Sequence, residues 1–258
     1  GAKLLLFIGS PRTGSTLLGQ ILNYHPACLI SNEFRLLHKL IIDKIPYHEA
    51  LDKMSKVALR QFTTGLENDP YYGETLSQYQ KKWLPFHELA QDRDFYKREI
   101  KVIGDKKAGG NTDVYRNYPD QTINFLKTSD TIHLLQIIRN PVDAALSFME
   151  SHHIASFEKA CEDIIKRTHS AYTLCQKVSN PSWYIYYEDL LANPQEVLHT
   201  IMNWLNLSYS QRWITTISRK INAQHPTNHQ QEYDDIAKRF IKQYSAYEEF
   251  EKYEVITK

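Results

Sequence analysis

Residues Lys3 to Ile8 (KLLLFI) form an unbroken apolar run without polar alternation, the pattern of a strand covered on both faces in a parallel sheet. Gly9 ends the run, and apolar positions resume at helical spacing with Leu17, Leu18, Ile21 and Leu22. The same pattern recurs from His133 to Phe148 (HLLQIIRNPVDAALSF), where proline opens the helix. Lys101 to Lys107 (KVIGDKK) predicts a short strand turning at Gly109-Gly110, and Trp183 to Leu190 (WYIYYEDL) an aromatic strand ending in an acidic turn. A helix is expected from about Ser156 to Val178, with Phe157, Cys161, Ile164, Thr168, Ala171 and Cys175 on one face, and another from Asn193-Pro194 to a turn near Asn206. This order predicts an α/β fold, a three-layer α/β/α arrangement with a central parallel sheet and a P-loop-like phosphate-binding turn. Ligands are then expected at the C-terminal edge of the strands.

Composition narrows this picture without redirecting it. A chain of 258 residues, 42% hydrophobic, reads as one domain spanning 1–258, with a largely helical insertion at about 33–98 expected to shape a ligand pocket. Lysines and arginines number 31 against 30 acidic residues, so no global field points to nucleic acid, and partners must be chosen locally. No apolar run approaches the roughly 20 residues that span a bilayer. With no signal-peptide pattern ahead of Lys3, a cytoplasmic location is expected. Cys28, Cys161 and Cys175 have neither CxxC spacing nor paired histidines, so buried packing is expected rather than disulfides or a metal centre. The C-terminal stretch around Gln224 to His229 is expected to be a loop over a bound ligand, followed by helix to the end of the chain.

The turn after the first strand carries the clearest chemistry. Gly9 and Gly14 have Walker A spacing, and the free N–H groups at the start of the following helix suit an anion. The lysine that would reach the β- and γ-phosphates of ATP is replaced by Ser15, while Arg12 and the hydroxyls of Ser10, Thr13, Ser15 and Thr16 crowd the turn. Pro11-Arg12-Thr13-Gly14-Ser15-Thr16 resembles the PR(S/T)G(S/T)T signature of sulfotransferases that use 3′-phosphoadenosine 5′-phosphosulfate (PAPS). The resemblance implies that residues 10–16 bind the 5′-phosphosulfate.

Three further segments carry the same resemblance. Arg139 and Ser147, about 125 residues after the first motif and in family order, match the pair that binds the 3′-phosphate, a group ATP lacks. Arginine supplies a planar fork of donors for such a dianion, and a hydroxyl two helical turns on adds a neutral donor. Tyr187 matches the tyrosine of the family's YEDL element, near the nucleotide. Lys106 matches the lysine beside the transferred group. The histidine that serves as base in small-molecule sulfotransferases is replaced here by Ala108. Glu33, in the segment Asn32-Glu33-Phe34-Arg35, resembles the glutamate that deprotonates the acceptor in tyrosylprotein and some carbohydrate sulfotransferases.

The resemblance implies sulfuryl transfer from PAPS, as co-substrate and without a required metal, to a hydroxyl of a small molecule, sugar, tyrosine or carrier-bound acyl chain. Arg12 and Lys106 would stabilise charge and Glu33 would accept the proton, its pKa expected to be raised near the donor. Glu33 also reads as an ion-pair partner of Arg35 or Arg12. Two other functions stay open. One is a P-loop kinase or NTPase, with Asp105 imitating a metal-binding aspartate; the other is a sulfotransferase-like module that binds without turnover.

Overall fold

A computed structural model of the chain describes residues 1–70, 89–90, 92–152, 156–222, 240, 244 and 247–254. Five parallel strands form one sheet: β1 (Lys3–Ile8), β2 (Cys28–Asn32), β3 (Val102–Lys106), β4 (Ile132–Ile138) and β5 (Ser182–Tyr186), in the order β2-β3-β1-β4-β5. The phosphate-loop strand β1 is therefore central, paired with β3 through Leu6↔Asp105 and with β4 through Ile8↔Gln136.

Alternation along β1 builds two cores. Leu5 and Phe7 point into one, closed by α1 (Ser15–Asn23) and, later in the chain, α9 (Pro194–Trp204) and α10 (Gln211–Asn222). Leu4, Leu6 and Ile8 point into the other, beneath α2 (Leu36–Ile41), α3 (Tyr47–Thr64), α4 (Ala108–Asn117), α5 (Pro119–Leu126) and part of α7 (Phe157–Lys177). With both faces covered, the strands need no polar alternation, which is why β1 and β4 read as continuous apolar runs. A third cluster joins α6 (Pro141–His152) to the first half of α7 and to Phe240, Tyr244, Phe250 and Tyr253, the last at the short helix α11 (Glu251–Glu254).

Helix α7 starts where its cap dictates, with Ser156 Oγ accepting from the Lys159 N–H at 3.3 Å. Cys161 and Cys175 lie on one stripe but, at 1.5 Å per residue, about 20 Å apart, so Cys161 packs in the third cluster and Cys175 against the second. All three cysteines are free. Half-buried Lys97 ties the end of α1 to β2, donating to the Asn23 carbonyl, to that of His25 at 3.2 Å and to that of Cys28 at 2.5 Å.

The structure departs from the sequence pattern at three places. Strand β2 was not expected, and Gly109-Gly110, expected as a turn, lie in the first turn of α4. The strand expected to run from Trp183 to Leu190 stops at Tyr186, and Tyr187 opens a short helix, α8 (Tyr187–Ala192). Glu188 and Asp189 fall in its first turn, where acidic side chains favour a helix start, and Glu188 Oε1 accepts the Asn140 N–H at 2.9 Å. The described part of residues 33–98 is largely helical, mainly α2 and α3, with turns at its two ends. Residues 71–88, the proposed Gln224–His229 loop and most of the expected C-terminal helix lie outside the described residues. Among the described residues, no helix is long and apolar enough to cross a membrane.

Candidate active site

The turn after β1 is held from three sides. The Gly9 N–H donates to Thr112 Oγ1 on α4 at 2.8 Å, Ser10 Oγ meets Thr168 Oγ1 on α7 at 3.1 Å, and Thr13 Oγ1 donates to the Ser10 carbonyl at 3.2 Å. The hydroxyls of Ser10 and Thr13 thus fix the loop, whereas Ser15 and Thr16 line the cleft described below. Pro11 rests on Gly109, where a Cβ would come within 3.0 Å of its ring. Arg12 takes a left-handed φ of 65° and Gly14 a φ of 90°, so the loop curls back upon itself before α1 begins.

This curl brings the second motif to the first. Arg12 Nε donates to Ser147 Oγ on α6 at 2.9 Å, and Arg139 Nη1, at the end of β4, donates to the Arg12 carbonyl at 3.0 Å. The Arg139 guanidinium lies 4.8 Å from the centre of the Tyr187 ring, a cation–π contact. Arg12, Arg139, Ser147 and Tyr187, far apart in sequence, converge at one end of the turn. Arg139 Nε is buried and has no hydrogen-bond partner among the described residues, an orphan donor of the kind an anion satisfies.

The other end of the turn meets Lys106 and Glu33. Asn32 of β2 pairs in register with Lys106 of β3, which sets Glu33 beside the lysine, and the Glu33 N–H donates to the Lys106 carbonyl at 3.0 Å. Lys106 is almost wholly buried. Its ammonium donates to Glu33 Oε1 at 2.5 Å and to Thr16 Oγ1 at 3.0 Å. Its stem passes α1 at Gly19, where a Cβ would lie 2.9 Å from Lys106 Cγ. Lys107 pairs with the second carboxylate oxygen, Glu33 Oε2. The ion-pair partners of Glu33 are these two lysines, in place of the Arg35 or Arg12 anticipated. Burial pushes the Glu33 carboxyl up, but the two ammonium charges and their hydrogen bonds together outweigh it and hold Glu33 below the usual carboxylate range. The sequence had led to the opposite direction, because the lysine pair forms only through strand pairing.

Asp105 organises this corner instead of facing a metal. Fully buried, it accepts at Oδ1 from Ser31 Oγ (3.3 Å) and the Phe34 N–H (3.2 Å), and at Oδ2 from the Leu36 N–H (2.8 Å). It pins the segment Glu33-Phe34-Arg35, in which Glu33 (φ 63°) and Arg35 (φ 66°) are both left-handed. Burial pushes its carboxyl up to about 6. Among the described residues no cluster of three or more His, Cys, Asp or Glu is placed to hold a metal ion.

A cleft of about 960 Å³ opens over this corner. Arg12, Ser15, Thr16, Glu33, Lys106 and Lys107 form its floor, while Arg35, His38, Asp113, Asn117, Tyr118 and Arg167 contribute to its walls. His25 takes no part. It lies among residues lining a smaller hollow of about 410 Å³ near the N-terminal ends of β2 and β3, with Nε2 3.2 Å from the Ser208 carbonyl and its ring edge-on to Trp213. Burial pushes its pKa down to about 4, leaving a neutral packing residue. The sequence reading gave Lys107 no role at this site and read Asp105 only as imitating a metal-binding aspartate, not as the support of the Glu33 segment. The available signals for Lys107 are the Lys106-Lys107 doublet and Gly110 three positions on.

The profile of the sulfotransferase family matches residues 5–211, which include both phosphate-type motifs, Glu33 and Lys106. The chain belongs to the sulfotransferase family. Its fold is shared with a sulfotransferase from Alicyclobacillus acidocaldarius, at 15% identity over 95% of each chain and a TM-score of 0.50. It is also similar to sulfotransferase STF9 from Mycobacterium avium, at 12% identity over 95% of this chain and 76% of that one, again with a TM-score of 0.50. No curated protein sequence matches the chain. At these identities the structural likeness is one of fold, and the family assignment rests on the profile match.

Proposed function

We propose that this sulfotransferase transfers the sulfuryl group of PAPS to a hydroxyl acceptor, with Glu33 as base and Lys106 and Arg12 as charge stabilisers. The observation that carries the reading is the orphan Nε of Arg139 beside the Arg12–Ser147 pair and the Tyr187 ring. Three polar side chains and an aromatic face converge there from four separate parts of the chain, and a 3′-phosphate with its adenosine would satisfy them together.

The chemistry follows from the two ends of the turn. At the cleft end, Glu33 takes the acceptor's proton as the acceptor oxygen forms its bond to sulfur. The bond from sulfur to the bridging oxygen of the 5′-phosphate breaks in line with it, leaving 3′-phosphoadenosine 5′-phosphate (PAP). The ammonium of Lys106, with Arg12 nearby, meets the charge gathering on that bridging oxygen, where a preformed cation in a largely dry site acts most strongly. Lys106 must slacken its hold on Glu33 to do so, which also frees the carboxylate as a base. The cleft walls, with Arg35, His38, Asp113, Asn117 and Arg167, favour an acceptor bearing several polar groups. We further propose that residues 1–258 act as one catalytic unit, with α2 bordering the acceptor side.

Calorimetric titration with PAP, 5′-AMP and ATP with Mg²⁺ tests the reading without an identified acceptor. Micromolar affinity for PAP, about −8 kcal/mol, with much weaker binding of 5′-AMP, is the expected result. A preference for ATP with Mg²⁺ would replace it with phosphoryl transfer, against which the full engagement of both Asp105 oxygens and Ser15 at the Walker lysine position already speak. Absence of binding to any of the three would leave a scaffold without a donor site.

A further inference from the structure

We propose that Lys107 is a positioning residue for the base: it keeps Glu33 ionised and aimed into the cleft while Lys106 is engaged with the donor. The inference rests on the reading of Glu33 as base. It adds a division of labour between two adjacent lysines that the family match does not assign.

Glu33 presents its two oxygens to different partners, Oε1 to Lys106 and Oε2 to Lys107. The lysines differ in setting. Lys106 is sealed between α1 and the sheet and also binds Thr16 of the phosphate turn, so its ammonium belongs to the donor side. The Lys107 side chain is about one-third exposed and lines the cleft. When the Lys106 ammonium turns to the departing phosphate, Oε1 is released and Oε2 keeps its cation. An unshared carboxylate this far withdrawn from water would drift toward its neutral form, in which it is no base.

Two features suggest that Lys107 is held where it is for Glu33. Lys107 is the N-cap of α4, the end of a helix where a positive charge is disfavoured, so helix stability alone gives no reason for a lysine there. Its stem also folds back over the first turn of α4 through space that only glycine leaves. A Cβ on Gly110 would stand 2.7 Å from Lys107 Cγ and 2.9 Å from Lys107 Cε. The charged and titratable groups around Glu33 are few: Lys106 and Asp105 from β3, Lys107 from the start of α4, Arg12 from the phosphate turn, and Arg35 and His38 along the chain to α2. Asp105 opposes ionisation of Glu33, which leaves Lys107 the cation in direct contact once Lys106 is drawn away.

The test is a carbon-detected NMR titration of the Glu33 carboxyl in the PAP-bound protein, comparing wild type with Lys107→Gln, Lys107→Arg and Gly110→Ala. Lys107→Gln is expected to move the Glu33 midpoint up by about one pH unit or more, and Lys107→Arg to restore it. Gly110→Ala changes no charge but displaces the lysine stem, so it is expected to move the midpoint in the same direction as Lys107→Gln. PAP affinity measured alongside reports that the donor site is intact in each variant. A Glu33 midpoint unchanged in both Lys107→Gln and Gly110→Ala would overturn the proposal. Failure of the base reading has a separate signature: Glu33→Gln would keep full turnover even though the Lys107 variants shift the Glu33 midpoint.

Discussion

The ring of Tyr187 occupies the space that a side chain on Gly14 would need: a Cβ there would lie 2.5 Å from Tyr187 Cε2. The phosphate turn and the start of α8, 173 positions apart in sequence, are fitted to one another at this point. Gly14 also has φ +90°, where an L side chain is strained by about 1–3 kcal/mol. Gly14→Ala is therefore expected to weaken PAP binding at least tenfold, by displacing Tyr187 from the nucleotide side. Calorimetry together with a thermal melt checks this. Wild-type affinity in a folded variant would show that the contact is dispensable.

Arg139 combines a buried Nε that has no hydrogen-bond partner among the described residues with a hydrogen bond to the Arg12 carbonyl. Arg139→Ala should cost PAP about 1.5–3 kcal/mol, the usual worth of charge-assisted bonds, or roughly ten- to a hundredfold in Kd. The loss for 5′-AMP should be much smaller. Equal losses for the two nucleotides would move the 3′-phosphate away from Arg139.

Glu33→Gln is expected to lower turnover by about 10²–10⁴-fold, the usual contribution of a positioned base, with PAP affinity close to wild type. The same variant carries a stability signature. Glu33 is held below its ordinary value by Lys106 and Lys107 against the opposing effect of burial, so the folded state binds fewer protons there than the unfolded state. Its contribution is present above the ordinary glutamate value of 4.5 and is lost as pH falls through the lower, folded-state value. The melting-temperature gap between wild type and Glu33→Gln should accordingly narrow on acidification. A gap that widens instead would contradict the lysine clamp.

Asp105 has the opposite sign. Burial raises its carboxyl from 3.8 to about 6, so the folded state binds the proton more tightly, and this contribution fades as pH rises through that range. Asp105→Asn replaces one acceptor oxygen by a donor amide facing backbone N–H groups, at an expected cost of about 1–3 kcal/mol. Because those N–H groups belong to Phe34 and Leu36, it should also loosen Glu33 and lower turnover with little change in PAP affinity. Denaturant unfolding across pH 4 to 7 should show the gap to wild type shrinking as pH rises. Unchanged turnover would show that the hook around Glu33 is held by other contacts.

The phosphate turn and the Arg139 segment were legible because each is contiguous: a buried strand, a turn and a helix start within about fifteen residues carry the signal locally. The surroundings of Glu33 were not. Its ion pairs arise because Asn32 and Lys106 happen to be in register on neighbouring strands, and no spacing along the chain encodes that. An expectation of a raised carboxyl therefore became a lowered one. The end of β5 was misplaced because Tyr187 is β-prone by type, whereas the acids after it fit the first turn of a helix. Ser10 and Thr13 look like ligand hydroxyls in sequence, yet one bonds Thr168 on a distant helix and the other its own loop.

The strand order β2-β3-β1-β4-β5 has a consequence for how such a site can change. Lys106 ends β3 and Arg139 follows β4, the two neighbours of β1, so the charges that would grip the donor's two ends rise from strands about 10 Å apart, twice the spacing between paired strands. The sheet acts as a ruler. Its graduations are backbone hydrogen bonds, which a side-chain substitution cannot stretch, whereas much of the opposite wall of the cleft, from Arg35 to Ile42, is carried by one hook and one short helix. On the proposed reading, donor recognition would be written in the hydrogen-bonded sheet. The choice of acceptor would be left to parts that can be redrawn one residue at a time.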